Sequence, residues 1–233
     1  MLPAVHLLIG ITLGIFLLYL TKDCRAIIYC AIGSLLPDII DKPLGHIFLP
    51  SIGYGRIFFH SLTVCALVAL LGVIILIKWR HPGLLFVAAG MLSHQLADGM
   101  WDELQGWFWP IFGGFPHRYM PNYFENMFSL ELSSPSEMLL MALAVIFFLC
   151  FVYARWTGKN RIFHWASVLV GFLLFIAGSY ILFGLVSGIL PIYLIYSGCS
   201  NTLICGLSLI FGGVAILCVS FFPPVRCEMK KFL

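Results

Sequence analysis

Long apolar stretches alternate with short polar ones along this chain, at about 4–20, 26–40, 58–78, 83–101, 136–155, 163–184 and 201–222. Most reach the roughly 20 residues that a helix needs to cross about 30 Å of hydrocarbon. They predict an all-α, polytopic membrane bundle of about seven transmembrane helices. The second run is short and holds Pro37, which disfavours helix at Leu36 and predicts a helix broken there. Between 185 and 200, Gly188, Pro191 and Gly198 interrupt apolar sequence, as in a re-entrant or interfacial connection. The stretches 42–57 and 102–135 are rich in Gly, Pro and aromatics and suit loops packed at the membrane surface. Trp101, Trp107 and Trp109 fit an interfacial aromatic belt there.

Composition strengthens the membrane reading. Hydrophobic residues make up 61% of the chain and charged ones 10%, where a soluble domain carries roughly 25% charged residues. A soluble fold of 233 residues could not hide so much apolar surface. The length suits one membrane-embedded domain over 1–233, and the N-terminus lacks the basic start and cleavage site of a signal peptide. A net charge of +3 gives no footing for a nucleic-acid partner, and none is expected. The eight cysteines show no CxxC spacing and read as small hydrophobes within apolar runs.

Basic residues set an expected orientation. With seven spans and the N-terminus outside, Lys22, Arg25, Lys78, Arg80, Arg155, Lys159, Arg161, Arg226, Lys230 and Lys231 share one side. Lys42, Arg56 and Arg118 fall on the other. The positive-inside rule makes the first side cytoplasmic, with the C-terminus there too.

Ionisable groups at membrane depth cost roughly 2.5–3.5 kcal/mol each on insertion scales and usually line a cavity or a functional path. His6, Asp38, Asp41, His60, His94 and Asp98 fall at such depths, one or two in each of the first four spans. Counted at about 1.5 Å per residue from the cytoplasmic ends, they share one layer near the outer leaflet. His94 and Asp98 are four apart, on one helix face, and Asp38 and Asp41, three apart, stand beside the expected break at Pro37. Three imidazoles with two or three carboxylates suit zinc, and also manganese or iron. The extra carboxylates leave room for a bridge between two ions or for a general base. Each residue also has a plainer reading: His6 as a hydrogen-bonded helix contact, His94 with Asp98 as a structural pair, Asp38 and Asp41 as an interfacial helix end. His46, His81, His117 and His164 sit in loops or at span ends and read as solvated.

Five stretches then occur in order: HLLIG from His6, LLPDIID ending at Asp41, GRIFFHSL around His60, SHQLAD from His94, and GWFWPIF around Pro110. In these the chain resembles the membrane-bound metal-dependent hydrolases known as LexA-binding, inner membrane-associated hydrolases. The resemblance covers about residues 1–125, which leaves 126–233 as supporting helices. The family motif His-Arg-Gly-x-Thr-His-Ser is here Gly55, Arg56, Ile57, Phe58, Phe59, His60, Ser61, so its first His is replaced by Gly55. The motif order is in turn similar to that of the all-α zinc-dependent phospholipases C. Carried over motif by motif, the resemblance implies a core metal site of His60, His94 and Asp98. It implies His6 in a bridged second site and Asp38 or Asp41 as base or added ligand. For the family's further acidic ligand no motif matches, and of Glu125, Glu131 and Glu137 in or near the outer loop, Glu137 at the start of the fifth helix is the candidate.

The expected function is a membrane-embedded metal-dependent hydrolase holding one or two divalent ions, zinc before manganese or iron. Its substrate would be a phosphoester of a lipid or lipid-linked molecule, cleaved at the extracytoplasmic side, with Arg56 against the phosphoryl oxygens. Two other classes stay open: a metal-ion or proton transporter, and a non-enzymatic membrane partner protein. Membrane lipids are the expected surroundings, and the sequence specifies no protein partner.

Overall fold

In the computed structural model, which describes residues 3–115, 122–132, 135–157, 160–189 and 199–221, each apolar run forms a long helix. These are α1 (Pro3–Thr21), α2 (Arg25–Pro43), α3 (Leu62–Trp79) and α4 (Gly83–Ala97). After the short helices α5 (Leu104–Trp107) and α6 (Tyr123–Leu132) come α7 (Pro135–Thr157), α8 (Asn160–Ser187) and α9 (Cys199–Phe221). The chain is an all-α membrane bundle. Among the described residues, Pro3–Thr21, Leu62–Trp79, Phe163–Ser187 and Thr202–Phe221 are long and apolar enough to cross a membrane. Helix α4, at 15 residues, is shorter than that, and α2 carries Arg25, Asp38, Asp41 and Lys42. Part of the predicted 185–200 connection lies outside the described residues.

Hydrocarbon lies against helices as readily as they lie against each other, so their association rests on close van der Waals contact through small residues. Gly14 brings α1 to the backbone of α2, where a Cβ would come 2.5 Å from Ile27 Cα. Gly33 on α2 closes on the Val87 backbone of α4, and Gly90 on α4 closes on Cys30 of α2. A helix face without such contacts is left to lipid. On α3, Leu67, Leu70, Leu71, Ile74 and Ile77 are all exposed. The larger core joins α1 and α2 to α7, α8 and α9 through Ile11, Ile15, Ile27, Phe147, Leu174 and Ile216.

Three expectations change. The α2 helix is not broken at Pro37 but runs on to Pro43. Pro37 withholds the amide that would reach the Gly33 carbonyl one turn earlier, and the next carbonyl along, that of Ser34, takes a bond from His94 Nδ1 at 2.7 Å. His60 lies outside the third helix, which begins only at Leu62 after the cap Ser61. The reason is local: the Asp41 carboxylate collects the amides of Ile57, Phe59 and His60, winding the chain into an irregular loop. Cys24 is disulfide-bonded rather than a free small hydrophobe; Cys30, Cys65, Cys150, Cys205 and Cys218 are free thiols.

Candidate metal centre

The ends of α1, α2 and α4 and the loop before α3 converge on one buried cluster. Asp38, His60, His94 and Asp98 each turn one ligand-type atom inward, and these atoms lie within 4.8 Å of one another. His60 Nε2 is 3.1 Å from His94 Nε2 and 3.5 Å from Asp38 Oδ1. His94 Nε2 is 3.7 Å from Asp38 Oδ1, and Asp98 Oδ2 is 3.9 Å from each imidazole nitrogen. Zinc bonds of 2.0–2.1 Å in a tetrahedron separate the ligands by about 3.3–3.4 Å, so these spacings approach one coordination shell.

The outer contacts fix which atoms face inward. His60 Nδ1 donates to Asp41 Oδ2 at 2.8 Å. His94 Nδ1 donates to the Ser34 carbonyl, which can only accept. With those protons committed, neutral rings point two bare Nε2 lone pairs at each other. Two lone pairs at 3.1 Å repel unless a cation lies between them. A carboxylate or carbonyl behind each imidazole is the usual arrangement behind metal-bound histidine. Asp38 Oδ1, buried and without a hydrogen-bond partner among the described residues, faces the same point. The cluster can hold a metal ion, and the donor set of two imidazoles and two carboxylates fits one.

The alternatives left open for Asp38 and Asp41 divide on this geometry. Asp41 spends both oxygens on three amides and the His60 ring, so it stands behind His60 and faces no open coordination position. Asp38 turns Oδ1 to the cluster while Lys42 Nζ holds its Oδ2 at 2.7 Å. His6 sits on the far side of Asp98, with Nε2 3.1 Å from Asp98 Oδ1 and its ring stacked on His94 at 3.9 Å. It joins the cluster through Asp98. Arg56, a third exposed, places Nε 3.1 Å from Asp98 Oδ2 and Nη1 3.5 Å from Glu103 Oε1. The side chain of Glu137 lies outside the described residues. At Gly55 a Cβ would come 2.9 Å from His46 Nε2, so the His46 ring fills the space beside the missing motif histidine.

Four residues at or around the centre go unread in the sequence. Lys42 could have been found, since it follows Asp38 by one helical turn. Gln95, inside the SHQLAD stretch, donates to the carbonyls of Phe59 and Ser61 and accepts from Trp107 Nε1 at 3.0 Å. Trp107 is thereby tied to the His60 loop and does more than sit in an aromatic belt. Glu103 lies beyond Arg56. Tyr123, from α6, stacks on His46 at 3.7 Å, and no sequence signal marks it. Burial raises its phenol above the ordinary value; Lys42 opposes the shift and Asp38 adds to it, so Tyr123 stays protonated at neutral pH. His46, read as solvated, is partly buried; burial and then the Lys42 charge hold its imidazole below the ordinary value.

Residues 1–186 match the family model described as YdjM inner membrane protein, and the chain belongs to that family. No curated protein matches the chain, and no solved structure does.

Proposed function

We propose that this member of the YdjM inner membrane protein family is a metal-dependent hydrolase acting on a phosphoester of a membrane lipid or lipid-linked molecule. One observation carries the reading: the Nε2 atoms of His60 and His94 converge on one point with Asp38 Oδ1 and Asp98 Oδ2. A divalent ion held there, zinc before manganese or iron, supplies Lewis acidity and lowers the pKa of water from about 15.7 toward about 7.

The protein's own groups then have separable tasks. Asp41 and the Ser34 carbonyl orient the two imidazoles. Lys42 and Arg56 each fix one oxygen of a ligand carboxylate and stand as two partly exposed cations at the rim. Cations so placed bind the phosphoryl oxygens and stabilise the charge that grows on them. A water oxygen attacks phosphorus, the ester P–O bond breaks, and the water's proton leaves to solvent at the rim, since Asp38 has Oδ1 at the metal point and Oδ2 on Lys42. The leaving alkoxide takes up a proton from solvent at the rim.

The basic residues support an extracytoplasmic site. Lys22 and Arg25 lie at the α1–α2 turn and Lys78 and Arg80 at the end of α3, opposite to the helix ends that carry the cluster. A transport path would have to continue toward that basic face. There the α1–α2 interface is filled by Ile15, Leu18 and Ile27, all buried.

Metal analysis of protein purified without chelator tests the reading first. A stoichiometric transition metal, lost in His94→Ala and Asp98→Ala, together with release of phosphate or phospho-headgroup from lipid substrates, is the expected result. Wild-type protein without such a metal overturns it.

A further inference from the structure

A cavity of about 600 Å³ lies between α1, α4 and α9, lined by Ile9 and Leu13, Leu96 and Ala97, and Leu207 and Phe211 among others. We propose that this groove binds a hydrocarbon chain of the lipid whose phosphate sits at the metal cluster. The inference rests on the hydrolase reading above and adds how the substrate is held.

Its chemistry favours an apolar occupant. Three hydroxyls line the groove, those of Thr12, Ser93 and Ser208. Each is spent on a carbonyl of its own helix: Thr12 on Leu8, Ser93 on Gly90 and Ser208 on Ile204, at 2.7–2.8 Å. The hydroxyl protons are thus not free for a ligand, and the walls it meets are mostly hydrocarbon. It is also concave, whereas the exposed leucines and isoleucines of α3 form an ordinary lipid-facing helix surface.

Its position ties it to the centre. Ala97 and Trp101, which line it, lie on either side of Asp98 in the chain. Ile9, on another wall, is three residues beyond His6, about one turn along α1. Trp101 is half exposed, as suits an indole at the membrane–water boundary. A chain lying in the groove thus has its head end beside Asp98 and its tail toward the bilayer centre. Arg56 and Lys42 complete the grip on the phosphate at the other end.

The test uses the full-length protein in nanodiscs of phosphatidylethanolamine and phosphatidylglycerol. A phosphatidylglycerol with a diazirine in one acyl chain is photolysed and the labelled residues are mapped by mass spectrometry. Labelling concentrated on Leu207, Phe211 and Ile9, above that of the lipid-facing α3 residues Leu70 and Ile74, is expected. In parallel, turnover of a long-chain phosphoester is divided by that of its short-chain analogue. Leu207→Trp, which fills the groove, should lower that ratio by about tenfold or more while metal content holds. Labelling no denser in the groove than on α3, or an unchanged ratio, overturns the inference and leaves the hydrolase reading standing. Crosslinking of Leu207 to a second copy also overturns it. Dense groove labelling with no hydrolysis of any phosphoester sinks the hydrolase reading and leaves a lipid-binding groove.

Discussion

Asp41 grips His60 at both ends of the residue: its carboxylate takes the backbone amide at 2.9 Å and the ring Nδ1 at 2.8 Å. One buried anion thus shapes the loop and fixes the direction of the imbedded lone pair. In Asp41→Asn the side chain keeps one acceptor oxygen and loses its charge, so both functions weaken. Metal affinity is expected to fall by about 10–100-fold, the usual cost of losing such a partner. Competition titration with a fluorescent zinc chelator measures it. Affinity equal to wild type would remove Asp41 from the centre.

Lys42 holds the outer oxygen of Asp38, and Arg56 meets Asp98 at the oxygen that faces the cluster. Lys42→Met and Arg56→Met should retain the metal and lose hydrolysis by about 10²–10³-fold, the loss typical of one donor to developing oxyanion charge. Metal content and turnover, measured on the same preparations, check this. Loss of metal in step with activity would make the two residues structural.

Protons compete with the metal for imidazole and carboxylate. Binding should therefore weaken as pH falls through the range in which histidine protonates, about 6.5 and below. The sign is fixed because the ligating atoms must be bare. Equilibrium dialysis against zinc from neutral to mildly acid pH measures it, and tighter binding at low pH would contradict the cluster.

Gly90 allows α4 to close on Cys30 and the turn of Ser34, the residue whose carbonyl orients His94. Gly90→Val forces these helices apart and is expected to cost about 1–3 kcal/mol through overpacking. Thermal unfolding in detergent, followed by metal content, reads both effects. A variant as stable as wild type would mean that the helices do not meet as described.

Impermeant thiol labelling of single cysteines in intact cells tests the orientation. On a background without native cysteines, Ile111→Cys should label from outside and Lys78→Cys only after permeabilisation. The reverse pattern would put the cluster on the cytoplasmic side.

Hydropathy along the chain was enough to mark the seven long helices, because the need to hydrogen-bond every backbone polar group within hydrocarbon leaves an apolar run little alternative to a helix. The His and Asp residues of the centre were legible for a related reason: such groups are costly in a membrane, so each one stands out against an apolar run. Spacing joined His94 to Asp98, since both lie on one helix. What spacing along the chain does not encode is which atom of each side chain faces which neighbour. That Asp41 orients while Asp38 faces the cluster, that α2 continues through Pro37, and that Lys42, Gln95 and Tyr123 attend the site depended on contacts across helices. Those contacts form only when Gly33 and Gly90 let backbones touch, and that packing is a property of the folded bundle.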